Sequence, residues 1–569
     1  VLNIMIGRFY MQKNLWNKFR ESSLKFGDQV AIQYKKNGRW EDVSFRRLRR
    51  NAESLSAFLA EESINKNDTV AISVENRPEW TMIFFAVISR GAVIVPINPR
   101  FGPEEVRNIL YGSGCKIAFV GSDSFLLKEE SRDKFSFIKK VISVESDVFR
   151  LALEKEPISI PLSVIEEDHT ACNLYTSGTT AEPKGIMLSH GNLLANSNAL
   201  SRRADLVKQE DGFTAALPLY DAYPLTCTML LPLFYGGRVI FPGSMCPEEI
   251  MAAMQEKNPA NFIGVPQVFR MFHAEIAEKL NSISFIFKPF FWAIVELLYG
   301  IRKMTGINLS RHLFRKAHRK LGRSMRFFIS GGVKLDENVG RDLVKFGFTI
   351  LEGYGLTETS PVLTLNPFKK PKIGSVGLPL PDVEVKLLNK NKEGVGEIIA
   401  RGANIMKGYC LGAEMTSSVI KDGWFHTGDL GFIDKDGYLY LKGRSKDVII
   451  FDSGLNVYPG EIEDEYSREA PIREMCVFEG CPERNMKSQF LKAAVVPDPE
   501  FFKEYNGDIE TIGKVLGEKF EKVSRRLSDY KRINDFFVTF SALPRTRTGK
   551  IKRHEVKEMY DGRSGHDII

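Results

Sequence analysis

Along the chain, short β-branched runs alternate with segments in which apolar residues recur every three to four positions. Thr69–Val74, Ala92–Ile97 and Lys116–Val120 are continuous apolar runs of strand length and predict strands buried on both faces. Phe45–Leu59, Pro103–Leu110 and Gly191–Arg202 carry the helical period between or after such runs. This alternation predicts parallel sheets covered by helices on both faces, and Arg326–Ser330 and Phe348–Leu351 continue it. After about residue 380 the texture changes. Val383–Leu388, Gly396–Arg401, Gly437–Leu441 and Asp447–Phe451 read as short strands between Gly, Asp and Asn turns, predicting an antiparallel, barrel-like piece. From Gly460 onward a helix, two strands and a long helix predict a compact α+β unit.

The predicted fold class is therefore α/β. A large N-terminal domain of parallel and mixed sheets flanked by helices spans 1–445, with a small barrel-like β subdomain at about 380–445. A small, mobile α+β C-terminal domain spans 446–569, with the boundary in the polar segment Gly443–Asp447. No fixed-period repeat or low-complexity tract is present, which sets solenoids and propellers aside.

Length and composition narrow the function classes. The chain has 569 residues, room for roughly three to five folding units. Apolar residues make up 43% and charged residues 26%, which excludes a disordered chain or a coiled-coil rod. The 79 Lys and Arg against 71 Asp and Glu leave a net charge of +8, too little for a dedicated nucleic-acid binder of this size. The seven cysteines are scattered without a CxxC pair, so reduced thiols are expected rather than a zinc site or disulfide framework.

The first twenty residues lack a sustained apolar core and a cleavage site, so no secretory signal is expected. Val stands first, which places the expected start upstream of it or at Met5. The apolar stretches Ile83–Pro99 and Ile283–Tyr299 are each interrupted by charge or proline, and neither is expected to span a membrane. The expected location is cytoplasmic.

The segment Tyr175–Gly185, YTSGTTAEPKG, follows one predicted strand, Ala171–Tyr175, and precedes another. Its run of Ser, Thr and Gly closed by a Lys offers backbone N–H groups, hydroxyls and a cation to phosphate oxygens. It does not match the GxxxxGK[ST] pattern of P-loop nucleotide hydrolases, and on composition alone it could equally be a solvated turn. Three further motifs accompany it in order: EGYGLTETSP at 352–361, GWFHTGDLG at 423–431 with GRSKD at 443–447, and PRTRTGK at 544–550.

Together the four motifs resemble the adenylate-forming (ANL) superfamily over about residues 15–555, and within it the long-chain fatty acyl-CoA synthetases (AMP-forming). The resemblance implies a reaction between two anions, a carboxylate and the α-phosphate of ATP, for which positive charge around phosphorus is a physical requirement. It implies that Thr176, Ser177, Gly178, Thr179, Thr180 and Lys184 grip phosphates. Tyr354 would stack on adenine beside Glu352, Gly353 and Gly355, Thr357 would bond the α-phosphate, and Glu358, with Thr176, would hold Mg²⁺. Gly331 and Gly332 would let the nucleotide approach the backbone closely. Asp429 and Arg444 would bind the ribose. Lys550 would bridge the carboxylate and α-phosphate during adenylation, Lys446 would be the hinge, and Gly454 would face the path of the attacking thiol.

The acid and acceptor are less constrained. Between VPQVF (265–269) and ISGG (329–332) the chain is long, as in the long-chain synthetases. This segment carries the apolar stretch Ile283–Tyr299. No acidic residue lies between Glu296 and Asp336, while ten Lys or Arg do. Peripheral membrane contact through 283–326, at the inner face of the membrane, is the functional expectation; a core helix followed by a solvated face is the structural alternative. Tyr220 and Asp221 in LPLYD are expected in the acyl pocket, with Asp221 where relatives often carry His, and Ala181 replaces a common Gly of the phosphate loop.

The expected function is ATP- and Mg²⁺-dependent activation of a medium- or long-chain fatty acid to an acyl-adenylate, then transfer to the thiol of CoA. Alternatives are an acyl-carrier-protein ligase, a ligase for an aryl or short-chain acid, and a non-catalytic lipid-binding protein. A phosphotransferase would release ADP and no pyrophosphate.

Overall fold

A computed structural model describes residues 14–131, 133–157, 165–176, 184–204, 206–281, 287–410, 412–451, 456–480, 490–505, 508–545 and 551–560. Two large sheets dominate the first four hundred residues. In a seven-stranded sheet, Thr170–Thr176, Val93–Pro96, Thr69–Ser73, Cys115–Val120 and Lys140–Ser143 run parallel, and Lys184–Ser189 returns antiparallel against Thr170–Thr176. In a nine-stranded sheet, Val30–Lys36, Arg238–Phe241, Gly212–Thr214, Asn261–Gly264, Phe327–Ser330 and Ile350–Gly355 are parallel neighbours, with antiparallel strands at both edges.

The predicted helix at 45–59 forms as Phe45–Glu61, started by Ser44, whose hydroxyl accepts the backbone N–H of Arg47. The apolar stretch 83–99 is the end of a helix, Pro78–Ser89, followed by the strand Val93–Pro96. Pro78 opens this helix, and Trp80, Phe84 and Phe85 are fully enclosed in one core with the helix Leu15–Phe26 and both sheets. A helix apolar all round is stable only inside a protein of this size or in lipid, and here it lies inside.

A five-stranded antiparallel sheet of half-barrel form follows, made of Val383–Leu388, Gly396–Gly402, Trp424–Ile433, Ile420–Lys421 and Leu439–Arg444. Two expected strands differ from those observed. The one at 437–441 is shifted to Leu439–Arg444, because Gly437 turns with φ +86. The one at 447–451 is reduced to Ile449–Ile450 after a 3₁₀ turn, Ser445–Asp447.

The smaller C-terminal domain has its own core, including Ile462, Tyr466, Val477, Val495 and Leu516. Its three-stranded sheet, Ile472–Gly480, Phe490–Pro497 and Ile533–Val538, has one strand more than expected, since Asn534 and Asp535 interrupt the apolar run of the third. Among the described residues no helix is long and apolar enough to cross a membrane.

Candidate active site

A cavity of about 980 Å³ opens where the C-terminal edges of the two large sheets, the half-barrel and the C-terminal domain meet. Thr176 ends its strand and pairs with Lys184 across the hairpin, so both ends of the Ser/Thr/Gly loop border the cavity. Ser177, Gly178, Thr179, Thr180 and Ala181 lie outside the described residues.

Opposite, the strand Phe327–Ser330 runs into Gly331 and Gly332, both on the wall. A Cβ at Gly331 would lie 2.9 Å from the ring of Tyr223, and Gly332 has φ +84, so side chains are excluded at both points. The neighbouring strand Ile350–Gly355 presents Gly353, Tyr354 and Gly355, and the turn Thr357–Thr359 then presents Thr357 and Glu358. The Tyr409 hydroxyl donates to Glu358 at 3.1 Å, and burial together with that carboxylate pushes the phenol pKa upward.

Two of the predicted residues stand differently from the rest. The side chain of Glu352 does not border the cavity. It is 3% exposed and accepts the Gly374 N–H at 2.8 Å, and burial pushes its pKa up to about 8. Its carboxylate is a structural brace behind the strand and does not line the cavity. Asp429 is also set behind the wall. It accepts the Tyr354 hydroxyl at 2.6 Å and pairs with Arg444 Nε at 2.7 Å, while Arg444 and Tyr354 themselves reach the cavity. The pair follows from register, because Asp429 and Arg444 are direct cross-strand partners.

From the C-terminal side, Lys446, Asp447 and the segment Ile551–His554 border the same cavity. Lys446 sits on the turn that leaves the half-barrel, the expected hinge position. Lys550 and Gly454 lie outside the described residues; Ile551, the next residue after Lys550, is on the wall. Arg553 is held by Glu463 and the Val477 carbonyl.

The remaining wall is mostly apolar. Leu200, Leu206, Leu217, Cys227, Leu231 and Ile329 form an apolar limb of this lining, packed in one cluster and drawn in part from the helix His190–Ala204 and a π-helical turn, Leu225–Leu230. Tyr220 and Asp221 stand at this side. Asp221 opens onto the cavity, yet protein surrounds it, and burial raises its carboxyl to about 6.

Sequence reasoning missed Tyr409, the apolar limb, and the pair formed by His426 Nδ1 and Glu397 at 3.3 Å, both on the wall. His426 lies inside the GWFHTGDLG motif and could have been singled out there; the limb has no motif.

The family model for AMP-binding enzyme matches residues 19–410, and that for the AMP-binding enzyme C-terminal domain matches residues 461–550. The chain belongs to the AMP-binding enzyme family. It is 29% identical to a feruloyl-CoA synthase of Amycolatopsis sp. over 91% of this chain and 94% of that protein. It is 28% identical to a long-chain-fatty-acid–CoA ligase of Yersinia pestis over 96% and 94%. Its fold is similar to that of ATP-bound MatB from Rhodopseudomonas palustris, with a TM-score of 0.77, 26% identity and coverage of 97% and 99%. It is an acid–thiol ligase of the adenylate-forming kind, with ATP and CoA as co-substrates.

Proposed function

We propose that this ligase activates an apolar, medium- or long-chain fatty acid and passes it to CoA. The observation that carries the reading is the lining of one cavity, which joins Thr176, Lys184, Tyr354, Thr357, Glu358 and Arg444 to an apolar set of Leu200, Leu206, Leu217, Cys227, Leu231 and Ile329. An acyl chain fits a limb without charged side chains beyond Asp221, because apolar surface removed from water contributes about 25 cal/mol per Å².

On this reading the phosphates lie against Thr176, Lys184 and the intervening loop, with Ser177, Gly178, Thr179 and Thr180 donating to them. Adenine lies against Tyr354, whose ring is fixed by its bond to Asp429. Gly331, Gly332, Gly353 and Gly355 keep the wall open, and Arg444 reaches the ribose while Asp429 orients it. A carboxylate oxygen of the acid attacks the α-phosphorus, the bond to the bridging oxygen of the β-phosphate breaks, and pyrophosphate leaves. Thr357 and Lys550 stabilise the charge that builds on the α-phosphate.

Magnesium is bound in proteins by one or two carboxylates together with substrate phosphates. No cluster of three His, Cys, Asp or Glu among the described residues could hold a metal alone, and Glu358 faces the cavity, so the residues fit an ion shared with ATP. Bound there, Mg²⁺ neutralises phosphate charge.

The C-terminal domain, 446–569, turns about Lys446 relative to 1–445, withdrawing Lys550 and bringing Gly454 to the thiol path for the second half-reaction. Contact of 283–326 with a membrane suits an acid that partitions into lipid, and residues 283–286 of that range lie outside the described residues.

A ligase for an aryl acid is the second reading, favoured by Tyr220, Tyr223 and Asp221 on the wall. Turnover across carboxylates from acetate to palmitate, with benzoate included, separates the two. Palmitate-range acids are expected to give the highest kcat/KM, and a preference for benzoate would reverse the order. CoA offered against acyl carrier protein tests the acceptor, with CoA expected to be used.

A further inference from the structure

Asp221 stands where the chain enters the short helical turn Ala222–Pro224, and its side chain opens onto the cavity that the apolar limb also lines. An aspartate just before a helical turn ordinarily accepts a backbone N–H from that turn. This one does not. Its backbone is extended, with φ −98 and ψ 146, and no N–H of the turn bonds the carboxylate.

No cation or hydroxyl among the described residues engages it either. The groups that could do so are committed elsewhere. The Tyr223 hydroxyl donates to the Ile329 carbonyl at 3.4 Å. Arg100, whose charge acts on the adjoining Tyr220, pairs with Glu75 at 4.0 Å. Protein encloses Asp221 closely enough that burial raises its carboxyl to about 6, so at neutral pH the group is ionised and can only accept. An enclosed carboxylate without a donor is costly to keep. The donor that the protein withholds is one that a bound acid can bring.

We propose that Asp221 is a specificity residue that accepts a hydrogen bond from a hydroxyl carried by the acid away from its carboxylate. The inference deepens the substrate reading above and rests on it: for a fatty acid, the preferred substrate is a hydroxylated chain rather than the plain one. A hydroxyl suits the site better than an ammonium. It brings one donor, which one carboxylate oxygen satisfies. An ammonium brings three, and would leave N–H groups unpaired against a lining that is otherwise mostly apolar.

The test compares acids that differ by one hydroxyl, using acid-dependent pyrophosphate release by the purified full chain. Palmitate is set against palmitate hydroxylated at the second, third, tenth or terminal carbon, and benzoate against 4-hydroxybenzoate. In at least one pair the hydroxylated acid is expected to have a kcat/KM about ten- to a hundredfold above its plain partner. Asp221→Leu is expected to bring that ratio to one or below. Asp221→Asn, which keeps a carbonyl acceptor of the same shape, is expected to lower it severalfold, and decides the matter where the leucine variant does not fold. A ratio near one for every pair in the parent, or a ratio unchanged in both variants, would overturn the inference. Palmitate used best with no gain from any hydroxyl would remove the subsite and leave the fatty-acid reading intact. A hydroxyl preference confined to the benzoate pair would uphold the subsite, assign its donor to a phenol and overturn the fatty-acid reading instead.

Discussion

At the proposed nucleotide end of the cavity, Thr176, Lys184, Tyr354, Thr357 and Glu358 come from contiguous segments at strand ends. At the proposed acyl end, Leu200, Leu206, Cys227, Leu231 and Ile329 come from a helix, a loop, a π-helical turn, a second helix and a strand. Phosphate chemistry demands particular donors and cations at fixed spacing, so few sequences satisfy it and each leaves a recognisable string. An apolar limb asks only for suitable volume, which many side chains supply. The first end is therefore defined by residue type, the second by tertiary packing.

Four changes would sharpen or break that contrast. The largest effect is expected from Glu358→Gln, which removes the cavity-facing carboxylate of its turn. Acid-dependent pyrophosphate release should fall by about 10²–10³-fold, while the KM for the acid changes little; a loss confined to acid KM would move Glu358 to the other end. Next, Leu231→Trp fills the limb. It should raise the KM for a palmitate-length acid at least about tenfold and leave acetate and ATP unaffected. An equal effect on ATP would show the two ends to be one site.

A smaller, pH-dependent effect belongs to Asp221. Its carboxyl is raised from 3.8 to about 6 by burial, so the folded state holds the proton through that window and stability falls as pH rises through it. Above about pH 6 the ionised group also faces the cavity. Asp221→Asn should raise Tm and improve long-chain acid KM severalfold at pH 7.5, with both differences fading towards pH 4. Thermal melts and kinetics across that range check it, and a variant less stable than the parent at pH 7.5 would refute the burial argument.

The smallest effect is expected at Lys334, which bridges the N-terminal region to Asp464 of the C-terminal domain at 2.7 Å. Exposed pairs of this kind contribute about 0–1 kcal/mol. Lys334→Ala should alter the balance of the two half-reactions by less than about fivefold, as read by single-turnover rates of adenylation and thiolation.

The same division explains what the sequence made legible. Alternating strands and helices were readable through Thr69–Ser73, Cys115–Val120 and Phe45–Glu61, where local pattern and tertiary burial agree. The third C-terminal strand was hidden because Asn534 and Asp535 break its apolar run, and only pairing with Phe490–Pro497 makes it a strand. In the site, Thr357 and Glu358 were legible from their string, whereas the wall position of Tyr409 depends on a fold that brings it to Glu358 from 51 residues away. Glu352 shows the opposite limit. It stands within the same motif as Tyr354, yet its side chain serves Gly374, because a motif locates a strand without fixing which way each side chain points.

The central claim is that the cavity joins a carboxylic acid to AMP before any thiol is engaged. Incubating the purified chain with α-labelled ATP and palmitate without CoA, then adding CoA, tests it most directly. The account predicts acid-dependent pyrophosphate and acyl-adenylate in the first step, with AMP as the final nucleotide after CoA is added. Formation of ADP with inorganic phosphate and no pyrophosphate would contradict it.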